Sequence, residues 1–371
     1  MRKIILSTAA AAALIAGGFP TAGIACTGIS LDAGDGAQIR GRTLEFGLPV
    51  DSAILVIPKG QALTGTLPDG GAGLAYTTRY GMVGANMFGL TGYLDAVNDQ
   101  GLGAGLFYFP GSAGYATVTA ENAGRALAPQ DFIVWLLGSF ATVEEVKAGL
   151  DGVVIVPTKT PGLGSAEGSV APSHYFVRDK TGKAIAIEPV GGALVVHDAP
   201  LGVITNAPTY DWHLTNLNNY VNLTVSDVEK AELGALTLEA MSSGTGLGGL
   251  PGDFSSPSRF VRASFFAANA TPSASGEDAV LTAFHILNQF DIPPGSVSNS
   301  SVGGKAVAET TEWTAVTDLT NLRWYFRTFE DQSIRMVDLE KAVAAADGKI
   351  VQMSMESKQP ILDVSTGPAV E

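Results

Sequence analysis

From residue 26 onward the chain is dominated by short stretches in which apolar residues alternate with small or polar ones. Cys26–Leu31, Ala53–Ile57, Leu102–Phe107, His174–Arg178 and Ala184–Glu188 carry this period of two and predict strands. The last two are separated by Asp179-Lys180-Thr181-Gly182, whose turn-forming residues predict an antiparallel hairpin. A second hairpin is predicted from Trp313–Leu319 and Arg323–Phe329, joined around Thr320-Asn321. Helical spacing appears in separate blocks. Pro129 is placed to open a helix through Phe132, Trp135, Leu136 and Phe140, and Thr142 with Glu145 forms a capping box for the next. Ser275 and Asp278 cap Val280–Asn288, and Ser258–Ala267 is a further helix. Strands grouped in hairpins, with helices in blocks, predict α+β layers and not a parallel βαβ sheet. No internal repeat and no linker marks a boundary, so residues 26–371 are expected to form a single domain.

The first 25 residues follow a different pattern. Arg2 and Lys3 precede an apolar run from Ile4 to Ala16, and small residues lead to Gly23-Ile24-Ala25. This predicts a secretory signal peptide over residues 1–25, cleaved after Ala25. The run is shorter than the roughly 20 residues that a spanning helix needs, so export without a membrane anchor is expected.

Of the 371 residues, 46% are apolar and 16% charged, enough apolar content for a large core, and 45 glycines imply frequent turns. The formal charge is −14, and removing residues 1–25 takes away two positive charges to leave −16. That sign repels phosphate backbones and anionic lipid surfaces, which argues against nucleic acid as a partner.

Several chemistries lack their signatures. Gly244-Thr245-Gly246-Leu247-Gly248-Gly249 satisfies G-x-G-x-x-G, but Pro251-Gly252 follows at once where a helix should open, so it reads as a loop. His174, His197, His213 and His285 have no metal-binding spacing, no G-x-S-x-G elbow occurs, and neither metal nor cofactor is expected.

One cysteine remains, and it stands at the expected cleavage point: Cys26. Two readings follow. As a lipidation site it would make the chain a lipid-anchored binding protein, but that signal expects a bulky aliphatic residue three places earlier, where Gly23 stands. As residue 1 of a mature chain it would be a nucleophile carrying its own base, because an α-amine with a pKa of roughly 7.7 to 8.0 is partly free near neutral pH and can take the thiol proton. A nearby cation would favour the thiolate. Arg42, in Gly41-Arg42-Thr43-Leu44-Glu45-Phe46-Gly47, is the first candidate, since strand, turn and returning strand bring it back beside Cys26.

Five segments in order carry a resemblance: Cys26-Thr27-Gly28-Ile29; Gly41–Glu45; Asn206-Ala207-Pro208-Thr209-Tyr210-Asp211-Trp212-His213; Gly249–Phe254 with Ser258-Arg259-Phe260; and Phe284–Asn288. Together they resemble the choloylglycine hydrolase family, which holds bile salt hydrolases and penicillin V acylases. The resemblance implies an N-terminal nucleophile hydrolase of four layers, αββα, with two antiparallel sheets, hydrolysing a linear amide in a small-molecule acyl amide substrate. By motif position Cys26 is the nucleophile, Arg42 and Arg259 line it, and the Asn206 amide donates to the oxyanion. Glu45 stands where the family usually has the aspartate that binds the α-amine. A second oxyanion donor falls at Phe107 or Tyr108, with Tyr108 chosen by counting back from Phe109-Pro110. Glu45 and Tyr108 resemble the Gram-negative branch, which implies a periplasmic or secreted protein and substrates such as penicillin V or N-acyl homoserine lactones, with conjugated bile salts as the alternative. Phe46 and Phe107 are expected in the apolar pocket. The resemblance also implies a homo-oligomer, a tetramer.

Overall fold

The strand Cys26–Asp32 turns through Ala33–Ala37, where Gly36 takes a positive φ of 88° that suits a residue without Cβ, and returns as Gln38–Phe46. The two pair antiparallel with Cys26 opposite Leu44 and Gly28 opposite Arg42. In the computed structural model, residues 25–365 are described apart from Ala166 and residues 303–304. The expected signal peptide therefore lies, but for Ala25, outside the described residues.

Among the described residues two large sheets form, all of whose neighbouring strands run antiparallel. The first orders Cys26–Asp32, Gln38–Phe46, Lys305–Asp318, Arg323–Thr328 and Arg335–Asp338, with Val297–Val302 also paired to Lys305–Asp318. The second has eight strands, in the order Ala193–Asp198, Ala184–Val190, Ser173–Asp179, Leu102–Tyr108, Tyr93–Asn98, Met82–Asn86, Ala53–Ile57 and Val351–Ser354. Helices Ser256–Ala268 and Gly276–Leu287 cover the outer face of the first sheet, while Phe132–Ser139 and Leu339–Ala345 cover the second. The layers are thus αββα, with one continuous apolar core running from Cys26 to Met355.

The strands read from alternation reappear within one or two residues at their ends. The hairpin from Lys305–Asp318 to Arg323–Thr328 closes over Leu319–Leu322, with Asp318 facing Arg323. Caps follow local chemistry: Thr142 Oγ1 accepts the Glu145 amide at 3.2 Å and Ser275 Oγ accepts the Asp278 amide at 3.2 Å. Pro129 does not open its helix. The helix starts at Phe132, and Pro129 sits in the preceding turn with its carbonyl taken by the Tyr175 hydroxyl at 2.9 Å. Buried from Phe132 through Gly138, that helix lies between the second sheet and the strand Ala72–Thr77 of a separate hairpin and shows no polar face.

The sheets are also joined by charge. Arg40 Nη1 stands 2.6 Å from Asp95 Oδ1, both side chains about 1% exposed, and Trp324 Nε1 donates to Asp95 Oδ2 at 3.1 Å. Removing one partner strands a charge in the core. Asp95→Asn should lose about 3–5 kcal/mol of stability in urea titration, and adding Arg40→Met should restore part of the loss. A near-neutral Asp95→Asn would show that the pair does not hold the sheets together.

Candidate active site

Alternation along Gln38–Phe46 sorts its side chains between two environments. Arg40, Arg42, Leu44 and Phe46 share one face, and Thr43 and Glu45 the other. Arg42 points between the sheets and is wholly buried. Its Nη1 donates to the carbonyls of Leu94 at 2.8 Å and Leu106 at 2.6 Å, both on the second sheet, and its Nε to Thr43 O at 3.2 Å. Nη2 lies 3.0 Å from Cys26 Sγ. The guanidinium lies over the Phe107 ring at 4.3 Å and near Trp313 at 5.4 Å. Trp313 is placed there by a break in register between Thr311 and Trp313, which makes Thr311 face Glu45 while Trp313 faces Leu44.

The other wall arrives from far along the chain. Gly28 exchanges backbone hydrogen bonds with Ile204, at 2.8 and 3.0 Å, and continuing that antiparallel register sets Asn206 beside Cys26. Only glycine fits at residue 28, since a Cβ would stand 2.8 Å from Ile204 Cγ2 and 3.0 Å from the Phe107 ring. Asn206 Oδ1 accepts from Cys26 N at 2.9 Å and from Arg259 Nη2 at 2.7 Å. Its amide Nδ2 donates to Tyr108 O at 2.8 Å, so one of its two N–H groups is already engaged. Arg259, in the first turn of Ser256–Ala268, does not reach the thiol. It bonds the Cys26 carbonyl, Thr27 Oγ1 at 3.0 Å and Phe254 O at 2.8 Å, and so fixes the backbone that carries the thiol.

Two histidines without metal-binding spacing secure this wall. His213 Nε2 is 2.9 Å from Asn206 O and His174 Nε2 is 3.1 Å from Thr205 O. Each can donate there when neutral. Burial pushes the His213 imidazole down to about 4, which keeps it neutral. His174 leans in turn on the buried Glu188, and Ser256 Oγ accepts from the Asn206 backbone N–H at 2.9 Å. His213 lies seven residues from Asn206 in the same segment, the one sequence signal that could have pointed to it.

Beside the thiol lies a slot of about 500 Å³ whose lining includes Cys26, Leu44, Phe46, Leu94, Leu106 and Tyr108. Phe46 and Tyr108 thus line the slot. Phe107 does not: one step along the strand reverses the face, and its ring lies under Arg42 and against Gly28 instead. A slot of this lining suits an apolar acyl group.

Burial pushes the Cys26 thiol up, against the pull of Arg42 and Arg259, so a base is needed to make the thiolate. Glu45 is not joined to Cys26 N. Its Oε1 accepts from Thr311 Oγ1 at 3.2 Å, and its backbone N–H donates to Ala25 O at 3.0 Å. Burial raises the Glu45 carboxyl to about 8, despite Arg259 and Arg42. Between its ordinary value and that one, the unfolded chain releases a proton that the folded chain keeps, so the stability linked to Glu45 is present at low pH and lost as pH rises toward 8. The stability gap between wild type and Glu45→Gln should therefore narrow from pH 5 to pH 8, by at most about 1.4 kcal/mol per pH unit, and stay level above. A gap constant over that range in urea titrations would mean that Glu45 is charged throughout.

The sequence profile described as linear amide C-N hydrolases, choloylglycine hydrolase family, matches residues 26–351. A bile salt hydrolase/transferase of Clostridium perfringens is 31% identical over 319 residues, 85% of this chain and 93% of that protein. A penicillin V acylase of Pectobacterium atrosepticum is 28% identical over 302 residues, 75% and 72% of the two chains. Among solved structures, a variant of the conjugated bile acid hydrolase of C. perfringens superposes with a TM-score of 0.79 at 30% identity, covering 92% of this chain and all of that one. A penicillin V acylase of Agrobacterium tumefaciens shares the fold at 22% identity and a TM-score of 0.71, over 90% and 93%. The αββα layers are those of the N-terminal nucleophile hydrolases, and the chain belongs to the choloylglycine hydrolase family of linear amide C–N hydrolases.

Proposed function

We propose that the protein hydrolyses a linear amide with Cys26 as an N-terminal nucleophile, after export and cleavage between Ala25 and Cys26. One observation carries this reading: Cys26 Sγ lines an apolar slot with the Arg42 guanidinium 3.0 Å away. The freed α-amine, in the place where Cys26 N now meets Asn206 Oδ1, takes the thiol proton. The thiolate attacks the acyl carbon, the amine leaves with the proton, and water then releases the acid from the thioester. The Nδ2–H of Asn206 that Tyr108 O does not take, with the Tyr108 backbone N–H, is proposed to donate to the oxyanion in the transition state. The family profile begins at Cys26, which fits a mature chain starting there. Lipidation of Cys26 fits poorly, because the residue is buried with its sulfur against Arg42 and not at the surface where a lipid anchor would attach.

Substrates are proposed to be amides of phenoxyacetic or straight-chain acids, as in penicillin V or N-acyl homoserine lactones, in the periplasm of a Gram-negative cell or outside it. The apolar lining suits an apolar acyl group, and Glu45 and Tyr108, which resemble the Gram-negative branch, favour these acids over a steroid. A homo-oligomer, a tetramer, is supported by the hairpin Ala231–Leu233 and Leu236–Leu238, which holds Leu233 and Leu236 more than 60% exposed.

Cys26→Ala should abolish turnover while leaving the melting temperature close to wild type, because no disulfide depends on the only thiol; N-terminal sequencing of active wild type should read Cys first. Full activity in the alanine variant, or an active chain starting elsewhere, would refute the nucleophile. In a second measurement, kcat/KM for phenoxyacetyl and long-chain acyl amides should exceed that for glycine and taurine conjugates of bile acids at one pH and salt concentration. The reverse order would assign the chain to bile salt hydrolysis.

A further inference from the structure

Two hollows meet at one side chain. Beyond the slot beside Cys26 lies a second hollow of about 750 Å³, apolar at Leu63, Tyr76, Leu90 and Val134, and open to solvent near the exposed Thr64 and Lys159. Gln130 lines both, and no other residue is common to the two linings. Short loops complete the partition by turning neighbouring residues to its two sides. Thr160 and Leu163 face the slot, while Lys159 and Pro161 face the second hollow; Met87 and Phe88 divide from Leu90 and Thr91 in the same way. Where Gln130 stands, a single residue with its side chain borders both hollows.

That side chain is lightly held. Its Oε1 accepts from Thr160 Oγ1 at 3.0 Å, and its Nε2 reaches Lys159 O only at 3.4 Å, a weak bond. The backbone of Gln130 is fixed by the turn ahead of Phe132–Ser139, so the amide can swing aside without moving the helix.

We infer that Gln130 determines how long an acyl chain the enzyme cleaves. This rests on the proposed amide hydrolysis at Cys26. Acyl groups that end short of Gln130 are held by the slot alone. A longer straight chain passes into the second hollow only by displacing the Gln130 amide from Thr160, and its far methylenes then lie against Leu63, Tyr76 and Leu90. Gln130 touches no reacting atom, so its effect falls on selection among substrates and not on the chemical step.

The test is kcat/KM for N-acyl homoserine lactones from butanoyl to tetradecanoyl, with a phenoxyacetyl amide alongside, in wild type, Gln130→Ala and Thr160→Val. Gln130→Ala should raise the ratio of dodecanoyl to hexanoyl cleavage by about ten-fold or more, roughly what two further buried methylenes supply. Thr160→Val keeps the volume of the wall but loosens its hinge, and should shift the ratio the same way by less. Parallel chain-length profiles in all three proteins would overturn the inference. If Gln130→Ala is inactive throughout, an unshifted Thr160→Val overturns it and a shifted one upholds it. Failure of the wild type on every member of the series and on the phenoxyacetyl amide would instead overturn the underlying reading of the site.

Discussion

The whole arrangement hangs on a buried cation. Arg42 has given up water entirely and recovers hydrogen bonds from carbonyls at Thr43, Leu94 and Leu106 and from the Cys26 sulfur. Burying an unpaired charge is costly unless such groups surround it. Of these four acceptors only the sulfur can itself become an anion. The second sheet thus holds the cation in place with fixed dipoles, and the first sheet presents the one group whose ionisation completes its pairing. Neither sheet alone makes the site, which is why the thiol sits at the seam of the layers.

The division of labour around the thiol follows from strand geometry. Arg42 acts on the sulfur from between the sheets, while Arg259 comes from the outer helix and acts on the backbone carbonyl of the same residue. Asn206 joins the two sides, taking a bond from Arg259 and giving one to Tyr108. With His213, His174 and Ser256 behind it, the asparagine has little freedom to drift, and a fixed dipole costs no reorganisation when charge develops.

What the sequence disclosed is what local chemistry writes down. Cap residues, turn residues and strands bounded by turn residues, such as Ala184–Val190, announce themselves, and a lone cysteine at a cleavage signal draws the eye to Cys26. Met82–Asn86 and Tyr93–Asn98 escape a sequence reading because they are short and Gly84, Asn86, Asp95 and Asn98 break up their apolar positions. The helix Leu339–Ala345 is too short and too mixed to stand out. Long-range partners were harder still. That Arg259 would bind the carbonyl and not the thiol, that Phe107 would turn away from the slot, and that Gln130 would divide two hollows all depend on which faces meet across the sandwich. Local periodicity carries no such information.

The same alternation that builds the site leaves it exposed to one kind of genetic accident. Between Gln38 and Phe46 every second residue belongs to the seam and every other to the outer face. Insertion or loss of a single residue between Gln38 and Arg42 would act on this strand as a frameshift acts on a gene: Thr43 and Glu45 would turn into the seam, and Arg42 would turn out of it. Substitutions here are local errors, whereas length changes rewrite the whole face at once. Variation in loop length among such proteins is therefore expected in the turn at Ala33–Ala37 and in the arm around residues 221–243, while the nine residues of this strand keep their count.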